Sequence, residues 1–243
     1  MTQRGNLRNV TVIGLGRVGL GTAVCLANLG HRVVIFDRDA AKIRRLRDLA
    51  QPLAEPIGFA NAWPRAMRDA EIAFICEPAA PDAAGEAGQH YIEAAARSAV
   101  QYGRRPLILV LRGATMPLGI VERIARITAR RERRGAEARL VVNPDLPQEG
   151  HAVADRVRPD RIVLGAWSAD AAESVASLYA RLDVPVVLTD PHSALLSAYA
   201  ASAFLETKHS FINEIAPIAE RAGASVHAVA AAMGLGAPFD RGW

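Results

Sequence analysis

Short apolar runs alternate along the chain with longer Ala-, Leu- and Arg-rich segments whose apolar residues recur at helical spacing. This alternation is typical of a parallel sheet whose strands are joined by crossover helices. The short runs contain few polar positions, as expected when helices cover both faces of the sheet. The predicted strands are 10–14, 32–37, 71–76, 107–112, 139–143, 161–164 and 184–189. The predicted helices between them are 18–28, 40–49, 89–101, 118–133 and 169–181.

The pattern changes after Pro191. Apolar residues keep helical spacing from position 192 to position 221, and Gly223 then marks a helix end before a short helix over 226–233. Pro217 lies inside the long segment and is expected to kink or split it, because proline removes a backbone hydrogen bond. A helix this long exceeds the usual length in globular proteins. We therefore expect it to pack against a partner besides the sheet, and a second copy of the chain is the simplest candidate.

The first predicted strand ends in the motif Gly14-Leu15-Gly16-Arg17-Val18-Gly19, which opens a predicted helix. In this G-x-G-x-x-G pattern, Gly14 allows a tight turn, Gly16 lets the backbone approach a pyrophosphate, and Gly19 lets helix and strand pack closely. Free N–H groups at the helix start, including those of Arg17 and Val18, favour the phosphate charge. The motif predicts a dinucleotide-binding site.

An acidic residue in the next strand supports this prediction. Asp37 ends the second predicted strand, where its carboxylate can bind the hydroxyls of an adenine ribose. Its charge would repel a 2′-phosphate, which favours NAD over NADP, although Arg38 and Arg44 soften that preference. The predicted fold class is α/β, with a doubly wound, mainly parallel Rossmann-type sheet followed by a long C-terminal helix. Residues 1–190 are expected to form the NAD-binding domain, and residues 191–243 a helical dimerisation region.

Composition narrows the remaining possibilities. The chain of 243 residues carries a formal charge of +4, but its basic residues are almost all Arg, with Lys42 and Lys208 as its lysines. The densest basic run, residues 123–139, also contains acidic residues and is expected to form a solvated helix face, so no nucleic-acid partner is predicted. No signal peptide or membrane span is visible, and the histidines lack metal-ligand spacing. These features predict a cytoplasmic protein without a metal site.

Three stretches resemble the UDP-glucose/GDP-mannose dehydrogenase family: VIGLGRVGLGTAVCLANLGHRVVIFDRDAAKI, RPDRIVLG and TDPHSALLSAYAASAFLETKHSFINEIAPIAERAGASVHAVAAAMGL. Members of this family bind NAD, form a dimer through a long central helix, and oxidise the C6 alcohol of a nucleotide sugar to a carboxylate in two hydride transfers. The resemblance implies NAD as the cofactor and a nucleotide sugar as a possible substrate. It also implies a homodimer through residues 191–222, and it places Lys42 near the adenine ribose beside Asp37.

The same resemblance implies that catalytic residues are missing. The family captures its aldehyde intermediate on a cysteine thiolate. Neither Cys25 nor Cys76 lies in the corresponding Gly-rich segment, and both are expected to pack in the core. The family also has a Lys and, four residues later, an Asn near the start of the long helix, where this chain has Ala198 and Ser202. Lys208 is not a replacement, because ten positions correspond to nearly three helical turns.

Other positions keep part of the family pattern. Thr115 matches a family Thr that helps to orient the catalytic water, Asp145 stands where the family has Glu, and Glu149 matches a second family Glu. These three residues are the candidate catalytic groups, with Glu77 as a further polar group. The candidate cofactor-binding residues are Gly14, Gly16, Arg17, Val18, Gly19, Asp37, Arg38, Lys42 and Thr115.

The sequence therefore favours an NAD-binding protein that lacks the four-electron oxidation and acts by binding, by regulation or with a partner chain. The alternative is an NAD-dependent oxidoreductase that transfers a single hydride from an unknown alcohol or sugar, because a two-electron step needs no covalent intermediate. Half of a larger enzyme is a third possibility, but Ala198 and Ser202 count against a parent with the usual catalytic residues.

Overall fold

The computed structural model describes residues 7–49, 57–76, 86–113, 116–132, 136–146 and 159–234. Within these ranges the chain forms an eight-stranded sheet with the strand order β3-β2-β1-β4-β5-β6-β7-β8. The strands are β1 (Asn9–Ile13), β2 (Arg32–Phe36), β3 (Ile57–Ala60), β4 (Ile72–Cys76), β5 (Leu107–Arg112), β6 (Ala138–Val142), β7 (Ile162–Ala166) and β8 (Val186–Thr189).

Helices cover both faces of this sheet. One apolar cluster packs between the sheet and the helices α3, α4, α5 and the start of α7, and a second lies on the opposite face under α1, α2 and α6. The described helices are α1 (Arg17–Asn28), α2 (Ala40–Leu49), α3 (Trp63–Ala66), α4 (Glu86–Tyr102), α5 (Ile120–Glu132), α6 (Ala169–Ala176), α7 (Pro191–Arg221) and α8 (Val226–Gly234).

The order of the strands reverses at β1, which pairs in parallel with both β2 and β4. Strands β1 to β6 are all parallel, whereas β7 runs antiparallel to β6 and is followed by β8 parallel to β7. The helices that follow β1 and β4, α1 and α4, pack on opposite faces of the sheet. In open α/β sheets this arrangement places a ligand-binding crevice at the carboxyl ends of the two strands. The predicted doubly wound, mainly parallel sheet is confirmed.

The sequence pattern missed one strand and one short helix. Strand β3 contains Gly58, which weakens the strand signal, and α3 is only one turn long with Pro64 in its first turn. Because β3 is an edge strand, the sheet tolerates a sequence that a central strand would not. The helix predicted over 169–181 was too long, since α6 ends at Ala176 and a 3₁₀ turn follows over Ser177–Tyr179.

Pro217 was expected to kink or split the long helix; α7 is continuous across it, so the helix is not split there. Its 31 residues span about 46 Å at the usual helical rise. Asp190 caps its start by accepting hydrogen bonds from the backbone N–H groups of His192 and Ser193, both at 2.9 Å. The first turns dock on β7 at Gly165, where a Cβ would lie 2.5 Å from the Cβ of Ala194.

The basic run at residues 123–139 departs from the predicted solvated face at one position. Arg131 is buried, and its guanidinium donates hydrogen bonds to the backbone carbonyls of Val100, Gly103 and Arg105 at 2.7–3.2 Å. These carbonyls lie at and just beyond the end of α4, where a cation satisfies otherwise unpaired acceptors. Within the described part of the chain, no helix has the length and apolarity needed to cross a membrane.

Candidate functional site

The glycine motif forms a tight turn between β1 and α1. Gly14 adopts a φ of +100°, a conformation that favours glycine, and its N–H donates to the carbonyl of Phe36 at 2.9 Å. A Cβ at this position would lie 2.5 Å from the carbonyl oxygen of Cys76 at the end of β4. The turn therefore fits between the ends of β2 and β4 only with glycine at position 14.

The start of α1 is open to an anion. Gly16 caps the helix without a side chain, and the first turn contains no acidic residue. Arg17 is exposed in that first turn, and Val18 packs against the core on one side of it. Gly19 brings helix and strand into contact, because a Cβ there would lie 1.8 Å from the carbonyl oxygen of Gly14. Backbone N–H groups and the helix dipole thus favour a phosphate at this end of α1.

Asp37 follows β2 and is held in one orientation by two backbone donors. Its Oδ2 accepts the N–H of Leu15 at 2.7 Å, and its Oδ1 accepts the N–H of Asp39 at 2.8 Å. Asp39 in turn accepts the N–H of Ala41 at 2.8 Å and thereby caps α2, on whose first turn the exposed Lys42 lies. Each carboxylate oxygen of Asp37 keeps a lone pair that can accept a hydroxyl of a ribose.

These residues fit a dinucleotide. The predicted cofactor-binding residues of the motif, together with Asp37, Arg38 and Lys42, lie around the carboxyl ends of β1 and β2, as the sequence indicated. NAD, if held there, would supply a nicotinamide ring that can accept a hydride. Thr115, the remaining predicted cofactor residue, lies outside the described residues.

Tyr91 is a residue of this region that the sequence analysis missed. It lies on α4, and its hydroxyl would be 3.1 Å from a Cβ at Gly14. Its ring lies under Arg38, whose guanidinium carbon is 5.9 Å from the ring centroid. Burial raises the pKa of Tyr91 to about 12, and the negative charge of Asp37 adds to this effect. No sequence signal marks Tyr91, because an aromatic residue at helical spacing also fits the core.

A buried polar cluster lies at the carboxyl ends of β5 and β6. Arg112 donates through Nη1 to Asn143 Oδ1, and its Nη2 lies 3.5 Å from Asp145 Oδ1. Asn143 Nδ2 donates to the carbonyl of Val163 at 2.9 Å, and the Tyr179 hydroxyl is 3.4 Å from Asn143 Oδ1. Burial acts to lower the pKa of Arg112, whereas the neighbouring groups Tyr179, Asp145, Cys76 and Cys25 together raise it above its ordinary value. The guanidinium is therefore charged. The cluster fixes the loop after β6.

The ion pair with Arg112 argues against the prediction that Asp145 is a catalytic group. The Asp145 carboxylate is buried beside the charged guanidinium of Arg112. It therefore stabilises the charge of Arg112 and is not a solvent-facing carboxylate that could act as a general base. The other polar candidates, Thr115, Glu149 and Glu77, lie outside the described residues, and their roles stay predictions.

Both cysteines are buried, which confirms the prediction that they pack in the core. Burial raises the pKa of the Cys25 thiol and raises that of Cys76 to about 12. A thiol with a raised pKa is protonated near neutral pH, and the thiolate is the nucleophilic form. Neither cysteine is suited to nucleophilic catalysis. Among the described residues, no group of three potential metal ligands lies together.

Comparison with known proteins agrees with this geometry. Residues 8–183 match the NAD binding domain of the UDP-glucose/GDP-mannose dehydrogenase family, and residues 192–240 match the central domain of that family. The chain belongs to the UDP-glucose/GDP-mannose dehydrogenase family. The predicted resemblance is confirmed, and NAD is the cofactor of the family domain that covers the glycine turn and Asp37.

Individual members of this dehydrogenase family match most of the chain. The UDP-glucose 6-dehydrogenase TuaD of Bacillus subtilis is 34% identical over 249 residues, which cover 97% of this chain and 54% of that protein. The structure of a UDP-glucose dehydrogenase from Pyrobaculum islandicum superposes with a TM-score of 0.85 at 32% identity, covering 99% of this chain and 60% of the other. The chain thus spans about half the length of the curated dehydrogenases that it matches.

A GDP-mannose dehydrogenase from Pseudomonas aeruginosa shares the fold at lower identity. Its structure superposes with a TM-score of 0.77 at 23% identity, over 93% of this chain and 56% of that protein. At this identity the likeness supports the fold alone, because function depends on the residues of the site.

Positions 198 and 202, where the sequence analysis expects the family's Lys and Asn, lie on the first half of α7. Ala198 is completely buried against the core, and Ser202 is partly exposed one turn further on. Beside them, the Tyr199 hydroxyl donates to the carbonyl of Met116 at 2.7 Å. Lys208 is largely buried further along the helix, with its ammonium 6.0 Å from the Phe204 ring centroid. The side chain at position 198 of α7 is therefore the buried methyl group of Ala198.

Proposed function

We propose that this chain is an NAD-binding member of the dehydrogenase family that does not perform the four-electron oxidation of a nucleotide sugar by itself. It acts through cofactor binding, through regulation or together with a partner chain. The observation that carries the proposal is the combination of an intact glycine turn and an oriented Asp37 with a methyl group at Ala198.

The cofactor part of the proposal rests on prearranged backbone. The carboxylate of Asp37 accepts the N–H of Leu15, so a hydrogen bond within the protein holds the glycine turn and the candidate ribose-binding residue together. A site that is ordered before binding loses less conformational entropy when the ligand arrives. This arrangement supports retention of NAD binding.

The loss of oxidation rests on internal positions of the chain. The resemblance implies that other family members have a Lys and an Asn that stabilise oxyanion charge at the positions of Ala198 and Ser202. Removal of one such donor typically costs about a hundred- to a thousand-fold in rate. Asp145 does not compensate, because it is buried against Arg112. The same pairing weighs against the two-electron oxidoreductase alternative, which relies on Asp145 among its polar groups.

We expect the purified, cofactor-stripped protein to bind NAD⁺ and NADH saturably in calorimetry. Asp37→Ala should weaken binding by about 10- to 150-fold, since hydrogen bonds to a charged group are lost. Asp183→Ala, at an exposed position before β8, is the matched control and should leave the affinity unchanged.

A panel of nucleotide sugars then separates binding from oxidation. We expect no NADH formation from NAD⁺ with UDP-glucose or GDP-mannose, measured by absorbance at saturating cofactor. Turnover of either sugar by the pure protein would refute the loss of oxidation, whereas failure to bind both NAD⁺ and NADH would refute the cofactor site itself.

We also infer a homodimer through residues 191–222. Beyond its docked first turns, α7 carries large apolar side chains in exposed positions, and α8 contains no buried residue although it is mostly alanine and valine. Three of the exposed side chains recur at seven-residue spacing, which is typical of a helix face that packs against another helix. They are Phe204, Phe211 and Ile218.

Phe204→Asp is expected to weaken the dimer at least about 100-fold, because a symmetric interface contains the side chain twice and each burial contributes about 1.5–3 kcal/mol. Sedimentation velocity should find wild-type protein near twice the chain mass of 26.0 kDa and the variant near the chain mass. Leu118→Asp is the control, because Leu118 lies on a different surface and is similarly exposed: 56% of Leu118 and 64% of Phe204 are exposed. A monomeric wild type would exclude the dimer.

The division into an NAD-binding domain (1–190) and a helical dimerisation region (191–243) is part of this proposal. It is supported by the change of pattern at Asp190, which caps α7 and follows β8 directly. The cytoplasmic location stays a prediction.

A further inference from the structure

Asp37 and Arg38 are adjacent residues with opposite preferences for the cofactor. A carboxylate at the end of β2 accepts the 2′-hydroxyl of NAD, whereas an arginine nearby can hold the 2′-phosphate of NADP. Both groups follow the same strand here, so the sequence alone leaves the preference divided. The placement of the two side chains decides between them.

The carboxylate is fixed where it can meet the ribose, and a second acidic residue lies next to it. Both oxygens of Asp37 are oriented by backbone N–H groups of Leu15 and Asp39. The Asp39 carboxylate caps α2 on the same side. The negative charge of Asp37, with that of Asp39 two residues further on, disfavours a dianionic phosphate beside Asp37 unless a cation neutralises it.

The guanidinium of Arg38 is turned towards α4. Its carbon lies 5.9 Å from the centroid of the Tyr91 ring, within the range of a cation–π contact. No carboxylate among the described residues forms an ion pair with Arg38. Among the described residues, the Tyr91 ring is the group that contacts this cation.

Tyr91 is itself a fixed support. Its hydroxyl lies beside the glycine turn, 3.1 Å from the position that a Cβ would take at Gly14. The raised pKa keeps the phenol neutral through the physiological range, so the attraction for Arg38 comes from the ring face and does not change with pH there. Among the described residues, the hydroxyl has no hydrogen-bond partner, which separates the role of the ring from that of the hydroxyl.

We propose that Tyr91 is a specificity-determining residue that favours NAD over NADP by holding the Arg38 guanidinium over its ring and away from the ribose 2′ position. This inference rests on the proposed NAD-binding function and adds a physical reason for the preference for NAD over NADP. Tyr91 acts through Arg38 and is a positioning residue for the cofactor.

The test is the ratio of the dissociation constants for NADP⁺ and NAD⁺, measured by calorimetry on the full chain. Tyr91→Leu releases Arg38 and should lower this ratio by about two- to five-fold, as expected for loss of one exposed cation–π contact. Tyr91→Phe keeps the ring and should keep the ratio of the wild type. A general weakening of the site raises both dissociation constants by the same factor, so it cancels in their ratio.

A double variant shows whether the effect passes through Arg38. In an Arg38→Gln background, Tyr91→Leu should leave the ratio unchanged, because there is no cation to release. An unchanged or raised ratio in Tyr91→Leu, or an equal fall in the Arg38→Gln background, would overturn the inference while leaving NAD binding intact. If the wild type binds neither dinucleotide, the proposed function fails together with it.

Discussion

Gly19→Ala is expected to reduce NAD affinity at least about 100-fold and to destabilise the fold. The new Cβ would lie 1.8 Å from the carbonyl oxygen of Gly14 and 3.3 Å from the Cβ of Cys76. The obstructing carbonyl oxygen is a backbone atom and cannot rotate away, so α1 must move off the turn. This displacement removes hydrogen bonds from the first N–H groups of α1 to the pyrophosphate, each worth about 1.5–3 kcal/mol, so two lost bonds correspond to at least about 100-fold in affinity.

The stability cost of the same change follows from overpacking. Extra methyl groups in a packed interior typically cost about 1–3 kcal/mol, and contact with fixed backbone places this case at the upper end. For a chain of this size, about 3 kcal/mol lowers Tm by about 6–12 °C. Differential scanning fluorimetry measures the shift, and calorimetry with NAD⁺ measures the affinity.

Gly119→Ala is the matched control, since it introduces the same methyl group before α5, where no atom lies within 4 Å of the new Cβ. It should leave both Tm and NAD affinity close to the wild type. Equal behaviour of the two variants would mean that close contact between α1 and the turn does not support the cofactor site. That result would remove the geometric basis of the NAD assignment.

The cofactor turn was predictable from the sequence because its determinants are local. Gly14, Gly16 and Gly19 act within one turn and one helix start, and Asp37 is recognised by its place at the end of the next strand. Backbone chemistry at these positions allows few alternatives, so the residues identify the site before folding is considered. The parallel strands were predictable for a similar reason, since nearly continuous apolar runs indicate burial on both faces.

Other parts of the site depend on contacts between distant segments. Tyr91 reaches the glycine turn from α4, and Arg112 meets Asn143 and Asp145 across two strands. A signal for Arg112 did exist, because a charged residue ends the otherwise apolar run of β5. The partners of Arg112 could not be predicted from the sequence, because the pairing depends on the register between β5 and β6. The edge strand β3 was missed since its residues carry little hydrophobic periodicity.

Breaking the buried pair between Arg112 and Asp145 is expected to cost about 3–5 kcal/mol with either single variant, Arg112→Met or Asp145→Leu. Both side chains are only 9% exposed, so the remaining charge loses this counter-charge in a poorly solvated place. The double variant should cost less than either single change, because it removes both charges together. Urea unfolding followed by circular dichroism provides the four free energies of unfolding.

The exposed ion pair between Asp160 and Arg161 provides the control for this experiment. Asp160→Asn removes the 2.9 Å contact with Arg161, in which the Asp160 side chain is 52% exposed, and should cost less than about 1 kcal/mol. If the costs of the two buried single variants simply add in the double variant, Asp145 does not depend on Arg112. Its carboxylate would then be available as a base, and the two-electron oxidoreductase would regain support. Strong non-additivity instead assigns Asp145 to the framework of the site, and the NAD-binding function without oxidation stands.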